Sequence, residues 1–186
     1  METGRCPWCL SSPEYIKYHD SEWGKPVYDD QILFEFIVLE SAQAGLSWIT
    51  ILRKRADYRS AFHDFNPQKV AKMTTQEVDQ LILDPSIVRH RGKIEATISN
   101  ANAFLAIIEE FGSFSQYYWA FSNHNVINNQ VRSMQDVPAI TDLSTKIAKD
   151  MKKRGFRFFG PTTCYAFMQA TGMVNDHVEY CIARYE

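Results

Sequence analysis

Chemistry-bearing side chains gather at both ends of this 186-residue chain. Cys6 and His19 lie near the start, and His177 and Cys181 lie four positions apart near the end. On a helix, positions i and i+4 face the same way and could grip one ion together. Two nitrogens and two sulfurs make a tetrahedral zinc set. Four protein ligands leave no open position, so such a zinc would be structural. It would pin the N-terminal segment to the end of the chain. Cys9 forms a rival Cys6-x-x-Cys9 pair, and spacing alone does not choose between the two cysteines. Residues scattered through core and surface would produce the same pattern without a metal.

A second group combines aromatic faces with carboxylates: Trp8, Tyr15, Tyr18-His19-Asp20, Glu22-Trp23-Gly24, then Glu40 and Trp48. Tyr and Trp rings stack on bases, and a carboxylate accepts hydrogen bonds from an exocyclic amine. Within Leu39–Trp48, a carboxylate, a break at Gly45 and a large aromatic could form the floor and wall of a pocket for a flat polar ligand. An ordinary helix corner with a core tryptophan fits the same residues. A third group is Gly155-Phe-Arg-Phe-Phe-Gly160, between two helical patterns. A glycine turn feeding a helix N-terminus exposes N–H groups that suit a phosphate. Lys152, Lys153, Arg154 and Arg157 add positive charge. A plain αα-corner is the competing reading.

These groups need elements to position them. Asp29-Asp30 starts a helix running to about Ala44, apolar on nearly all sides through Ile32, Leu33, Phe34, Phe36, Ile37, Val38 and Leu39. It should be central and buried. Ser47 opens the next helix. Asn66-Pro67 marks another start. Thr74-Thr75-Gln76-Glu77 fits a capping box, with Asp84-Pro85 ending that helix. From Gly92, Ile94, Ile98, Ala101, Leu105 and Ile108 predict a long amphipathic helix, stopping near Gly112. A short aromatic helix over Ser113–Phe121 follows, then a polar loop over Asn123–Pro138. Thr141-Asp142 caps a helix through Lys153, closed by Gly155, and Pro161 opens one reaching Gly172. A short helix near Pro13–Tyr18 and a final one around Asp176–Ala183 complete an all-α, single-domain reading of residues 1–186.

Composition narrows the class. Apolar content of 45% and charged content of 23% are those of a globular domain. No apolar run approaches the roughly 20 residues of a membrane span. The start lacks a basic-then-apolar leader pattern, which predicts a cytoplasmic location and reduced cysteines. Net charge of −2 argues against a large non-specific nucleic-acid binder. Three local basic clusters, Arg53-Lys54-Arg55, Arg89-His90-Arg91-Gly92-Lys93 and Lys152–Arg157, could still form one basic face.

Taken in order, the blocks Arg5-Cys6-x-Trp8, Tyr18-His19-Asp20-x-Glu22-Trp23-Gly24, Leu39-Glu40, Gln43-Ala44-Gly45-Leu46-Ser47-Trp48, Arg89-His90-Arg91-Gly92-Lys93, Lys153-Arg154-Gly155-Phe156 and Val174-Asn175-Asp176-His177 closely resemble the bacterial 3-methyladenine DNA glycosylase I family. The likeness runs from Cys6 to about Cys181. It implies the helix-hairpin-helix glycosylase fold: all-α, two lobes, a base pocket between them, and a hairpin at about 141–172. It implies a structural zinc on Cys6, His19, His177 and Cys181, favouring Cys6 over Cys9. It also implies that Tyr18 and Glu40 contact the excised base, that Trp48 stacks on it, and that Trp8, Tyr15 and Trp23 line the pocket. Gly45-Leu46 would fill the gap left by the flipped nucleotide. Gly155, Arg157, Gly160, Thr162 and Thr163 would grip the DNA backbone.

The resemblance further implies excision of 3-methyladenine, with weaker action on 3-methylguanine, from alkylated double-stranded DNA; a monomer is the default expectation, since the sequence does not give the oligomeric state. Thr162 stands where lyase relatives carry lysine, so strand cleavage is not expected. Asn175 stands at the usual aspartate position, and neighbouring Asp176 is expected to point elsewhere, toward a helix cap. The chain departs at Ser41-Ala42, where bulkier or more polar residues are expected in some relatives. Glu40 then serves chiefly as a reader of the base and as an electrostatic stabiliser. Two other readings are a damage-binding module that does not cut and a zinc hydrolase.

Overall fold

The structure, a computed structural model, describes residues 4–185. Its axis is α2 (Asp30–Gln43), begun by the Asp29 side chain accepting the Ile32 N–H. Every residue from Leu33 to Ala42 is buried, Glu35 and Glu40 included. A helix apolar on all sides must be surrounded. Here α3 (Trp48–Ala61), α6 (Arg91–Phe111), α7 (Phe114–Ala120) and α9 (Pro161–Ala170) pack around it.

Aromatic rings tie these helices together. Phe34 of α2 meets Phe104 of α6 at 5.2 Å between centroids, and Phe104 stacks on Phe114 of α7 at 4.3 Å. Tyr118 of α7 then reaches Phe167 of α9 at 4.9 Å. Fully burying each such ring contributes roughly 1.5–3 kcal/mol. Outside this core, α1 (Pro13–Ser21) lies against α3 and a 3-10 turn, Pro7–Ser11. The short α4 (Pro67–Val70) and α5 (Thr75–Leu81) pack on α6, and α8 (Asp142–Lys153) packs on α9.

The helix starts follow the capping chemistry. Thr74 and Glu77 form the expected capping box, and Asn66, Ser113 and Thr141 each accept a backbone N–H of their helix. Ser47 does not: its hydroxyl pairs with the Thr50 hydroxyl at 2.8 Å. The Ile49 N–H is instead satisfied from outside, by the Tyr15 hydroxyl at 2.9 Å.

Three expectations need correction. The segment around Asp176–Ala183 is not an α-helix. It is irregular through Val178, turns, and ends in a 3-10 helix, Ile182–Tyr185. Tertiary bonds replace the helical ladder: the Glu179 N–H donates to the Val131 carbonyl at 2.8 Å, and Asp176 is held from three sides. Secondly, α5 ends at Leu81, before Asp84-Pro85. Thirdly, Ile127–Asn128 pairs in parallel with Val174–Asn175, a two-residue ladder inside the region read as loop. Two residues per strand are too few to show alternation. Among the described residues, no helix is long and apolar enough to cross a membrane.

Candidate active site and metal centre

Cys6, His19, His177 and Cys181 are all buried, and their ligand atoms lie within 4.8 Å of one another. The Cys181 sulfur is 3.4 Å from His19 Nε2 and 3.4 Å from His177 Nδ1, and Cys6 is 3.6 Å from the same Nδ1. Tetrahedral ligands around one zinc would stand about 3.5 Å apart, given metal bonds of roughly 2.0–2.3 Å. Each imidazole turns its other nitrogen to an acceptor. His19 Nδ1 meets Asp20 at 2.8 Å, and His177 Nε2 meets the Trp23 carbonyl at 3.2 Å. Such outer bonds fix the tautomer that leaves the inner nitrogen free for a metal. Arg5 in turn holds Asp20 at 2.9 Å. Cys9 points away, its thiol donating to the Cys6 carbonyl at 3.1 Å. The cluster can hold a metal. A turn closed by the Cys181 N–H donating to the Val178 carbonyl at 2.8 Å, not a helix, brings His177 and Cys181 together.

An aromatic wall grows out of this cluster. His177 lies edge-on to Trp23 at 4.7 Å, and Trp23 meets Trp8 at 5.1 Å. Trp8 contacts Tyr15 at 5.4 Å and Tyr18 at 6.3 Å, and Tyr18 meets Trp48 at 5.6 Å. Gly24 (φ +79°) permits the approach, since a Cβ there would lie 2.7 Å from His177 Nε2. The wall therefore contains every aromatic candidate read from the sequence. Tyr15 has a second task, its hydroxyl being taken by the N-terminus of α3.

Glu40 lies on the central helix, 4% exposed, and desolvation alone pushes its carboxyl up to about 8. Among the described residues, no side chain hydrogen-bonds to it. Burial of Tyr18 pushes its hydroxyl well above the ordinary value, and the nearby Glu40 charge adds to the rise. Nearby, the indole N–H groups of Trp8 and Trp48 and the Ser41 hydroxyl are buried without partners. Buried polar groups are nearly always paired in a finished core. Two unpaired indole donors in the wall, with a carboxyl near Tyr18 that no side chain hydrogen-bonds, could receive a polar ligand.

Past Glu40, α2 ends and the chain turns at Gly45 (φ +81°), with nothing within 4 Å of a Cβ built there. Leu46 follows at 40% exposure. Gly155 (φ +102°) turns the chain between α8 and α9, leaving Arg157, Gly160 and Thr162 exposed and Thr163 half-buried. Several cations of the basic clusters are already paired with carboxylates. Arg55 is spent inside on Glu35 and Glu22, both at 2.7 Å, and Arg53 pairs with Glu14. Arg91 pairs with Asp79, and Arg154 with Glu110 and Asp150. Asp176 accepts from Asn129, Tyr165 and Gln169 at 2.7–2.9 Å, and Asn175 from the His177 N–H at 3.2 Å. Asp176 thus braces α9 and the strand pair and caps no helix.

Residues 8–185 match the family described as methyladenine glycosylase. The chain belongs to that family. A DNA-3-methyladenine glycosylase of Haemophilus influenzae is 51% identical over 96% of this chain and 97% of its own. DNA-3-methyladenine glycosylase 1 of Escherichia coli is 50% identical over 95% of each chain. This member is accordingly an enzyme. Two solved relatives superpose at a TM-score of 0.95 with 40% identity, each covering 98% of both chains. One is a Tyr→Phe variant of 3-methyladenine DNA glycosylase I in complex with 3-methyladenine, the other a Glu→Gln variant from Staphylococcus aureus.

Sequence reasoning misses Lys93 and Asn100. Lys93 sits in a run that reads as a basic patch, yet its ammonium donates to the Ala42 and Ala44 carbonyls at 3.0 and 2.6 Å. Asn100 is buried on α6 and brackets the Arg157 backbone. A polar residue on the apolar side of an amphipathic helix was the available signal.

Proposed function

We propose that the chain is a monofunctional DNA glycosylase that flips 3-methyladenine out of alkylated duplex DNA and hydrolyses its N-glycosidic bond. The products are free base and an abasic site. The observation that carries this reading is the buried, unpartnered Glu40 carboxyl beside Tyr18, with Trp48 against that tyrosine. The tyrosine and glutamate replaced in the two solved relatives are separated by as many positions as Tyr18 and Glu40, which supports the same pair here.

N3-methylation leaves a positive charge on the base. Against a desolvated carboxyl, that charge favours the ionised form and offsets its burial. Neutral adenine has no charge to offer, so the same carboxyl disfavours it. Tyr18 and Trp48 supply ring contact, and Trp8, Tyr15 and Trp23 complete the wall. Because the methylated base is already a good leaving group, the enzyme need only extrude it and stabilise an oxocarbenium-like sugar. The bond from the sugar to the base breaks, and its electron pair neutralises the base. A water oxygen bonds to the anomeric carbon and gives its proton to solvent. Glu40 acts as reader and electrostatic stabiliser.

Gly45-Leu46 fills the gap in the duplex. The α8–turn–α9 unit is the helix-hairpin-helix at about 141–172, gripping the backbone through Gly155, Arg157, Gly160, Thr162 and Thr163. With Thr162 at the lyase position, no strand cleavage follows. The whole chain, 1–186, forms one domain with the pocket between two lobes, acting as a monomer in the cytoplasm. One structural zinc is held by Cys6, His19, His177 and Cys181, joining the chain ends; it supplies stability and no open ligand position. The test is incubation with methylated duplex DNA and chromatography of released base. Wild type should release 3-methyladenine, and Glu40→Gln should lose most of that release while staying folded. Undiminished release by Glu40→Gln would remove Glu40 from the site.

A further inference from the structure

The two surfaces assigned to DNA, the Gly45-Leu46 turn and the α8–α9 hairpin, belong to different parts of the chain. One helix touches both. At the start of α6, the Lys93 ammonium donates to the Ala42 and Ala44 carbonyls, on either side of Gln43 and just before the turn. A cation near the N-terminus of its own helix is disfavoured by the helix dipole, whereas one at the C-terminus of α2 is favoured. Its placement therefore serves α2. The residue is fixed at its other end too, its N–H donating to His90 Nδ1 at 3.1 Å. His90 rests edge-on against Phe158 of the hairpin at 5.8 Å. Two turns further along α6, Asn100 brackets Arg157. Its amide donates to the Arg157 carbonyl at 3.0 Å, and its carbonyl accepts the Arg157 N–H at 2.8 Å. Phe158, next in the chain, is held at φ +55°, a conformation that needs such outside support.

We infer that α6 is the strut that sets the spacing between the inserting turn and the hairpin, with Lys93 and Asn100 as the positioning residues for the two contacts. Neither touches the base wall, so neither should alter recognition of free base. This rests on the proposed role of Gly45-Leu46, which Leu46→Ala tests separately.

The experiment compares wild type, Lys93→Met, Lys93→Arg, Asn100→Asp and Leu46→Ala as full chains. Three quantities are read: kcat/KM on methylated duplex DNA, quenching of tryptophan fluorescence by free 3-methyladenine, and the slope of duplex affinity against salt. Lys93→Met and Asn100→Asp should each lower kcat/KM about tenfold, the scale of one lost hydrogen bond of good geometry. Free-base affinity should stay within about twofold, since the wall is untouched. Lys93→Arg, which keeps donors, should recover much of the loss, and a merely destabilised enzyme would not be rescued so. Unchanged excision by both variants overturns the strut. A parallel loss of free-base affinity also overturns it, because the residues would then act on the pocket. A salt slope reduced by about one in Lys93→Met would make Lys93 itself a phosphate contact. Failure of the glycosylase reading looks different: wild type would release no base. If Leu46→Ala excises normally, the turn's role fails.

Discussion

Replacing Glu40 by Gln should make the enzyme more stable in alkali and no more stable in acid. Burial moves the carboxyl from an ordinary 4.5 to about 8, with no partner to offset it. Below pH 4.5 the group is protonated in both folded and unfolded chains, and its burial then carries no charge penalty. Between 4.5 and 8 the unfolded chain ionises while the folded one holds its proton, so stability falls as pH rises. Above 8 both forms are ionised and the penalty is complete. At 1.36 kcal/mol for each pH unit of difference, the upper bound is roughly 5 kcal/mol. Relaxation and water entry reduce this, and we expect about 2 kcal/mol. For a chain of this size that is a rise of roughly 4–8 °C in Tm. Thermal unfolding of wild type and Glu40→Gln at pH 5 and pH 9 provides the measurement. Gln has its own burial penalty, but it is the same at both pH values, so the difference isolates the charge. A Tm gap that does not change with pH would show that Glu40 is solvated, and the selectivity argument for a cationic base would fall with it.

Cys6→Ser should lower bound zinc and Tm together, measured by metal analysis and calorimetry, whereas Cys9→Ser loses only one thiol-to-carbonyl bond. Equal losses from both would mean that the ligand set is wrong. Asp176→Ala strands three donors, on Asn129, Tyr165 and Gln169, and should destabilise by about 3 kcal/mol. At a temperature where the variant stays folded, excision should remain; selective loss of turnover would make Asp176 part of the chemistry.

Local signals carried much of the fold. Helix α2 was legible because its apolar residues cover every side, and α5 because Thr74 and Glu77 spell a capping box. Helix α9 was legible from Gly160-Pro161. What failed was set by distant partners. The segment from Asp176 to Cys181 carries helix-like spacing at His177 and Cys181, yet bonds to Val131 and Asn129, both far away in sequence, hold it in a non-helical path. The same holds at the site. Residue types alone left the Cys/His set and the aromatic group open to a metal-free or plain-core reading, and the order of the motif blocks, through the family they resemble, singled out those residues. Arg55 reads in sequence only as part of a basic cluster because its acidic partners, Glu22 and Glu35, sit in other elements. Lys93 reads only as part of another, because its acceptors are backbone carbonyls, which no sequence pattern displays.

The Cys/His cluster and the aromatic wall share their rings, and with the proposed zinc and base pocket this predicts the order in which function and fold fail. Trp23 packs on His177 and His19 on one side and on Trp8 on the other, and Trp8 supports Tyr18. Glu40 depends on none of these, being held by the α2 backbone within the core of α6, α7 and α9. Loss of the metal should therefore loosen one half of the pocket while the helical core stands. Titration with a strong chelator should abolish tryptophan quenching by free 3-methyladenine while the helical circular dichroism signal persists. Excision should decline in step with base binding. If base affinity survives until the helices melt, the cluster supports the fold as a whole and not the wall. If excision disappears while base binding persists, the metal takes part in the chemistry, which contradicts a closed four-ligand site.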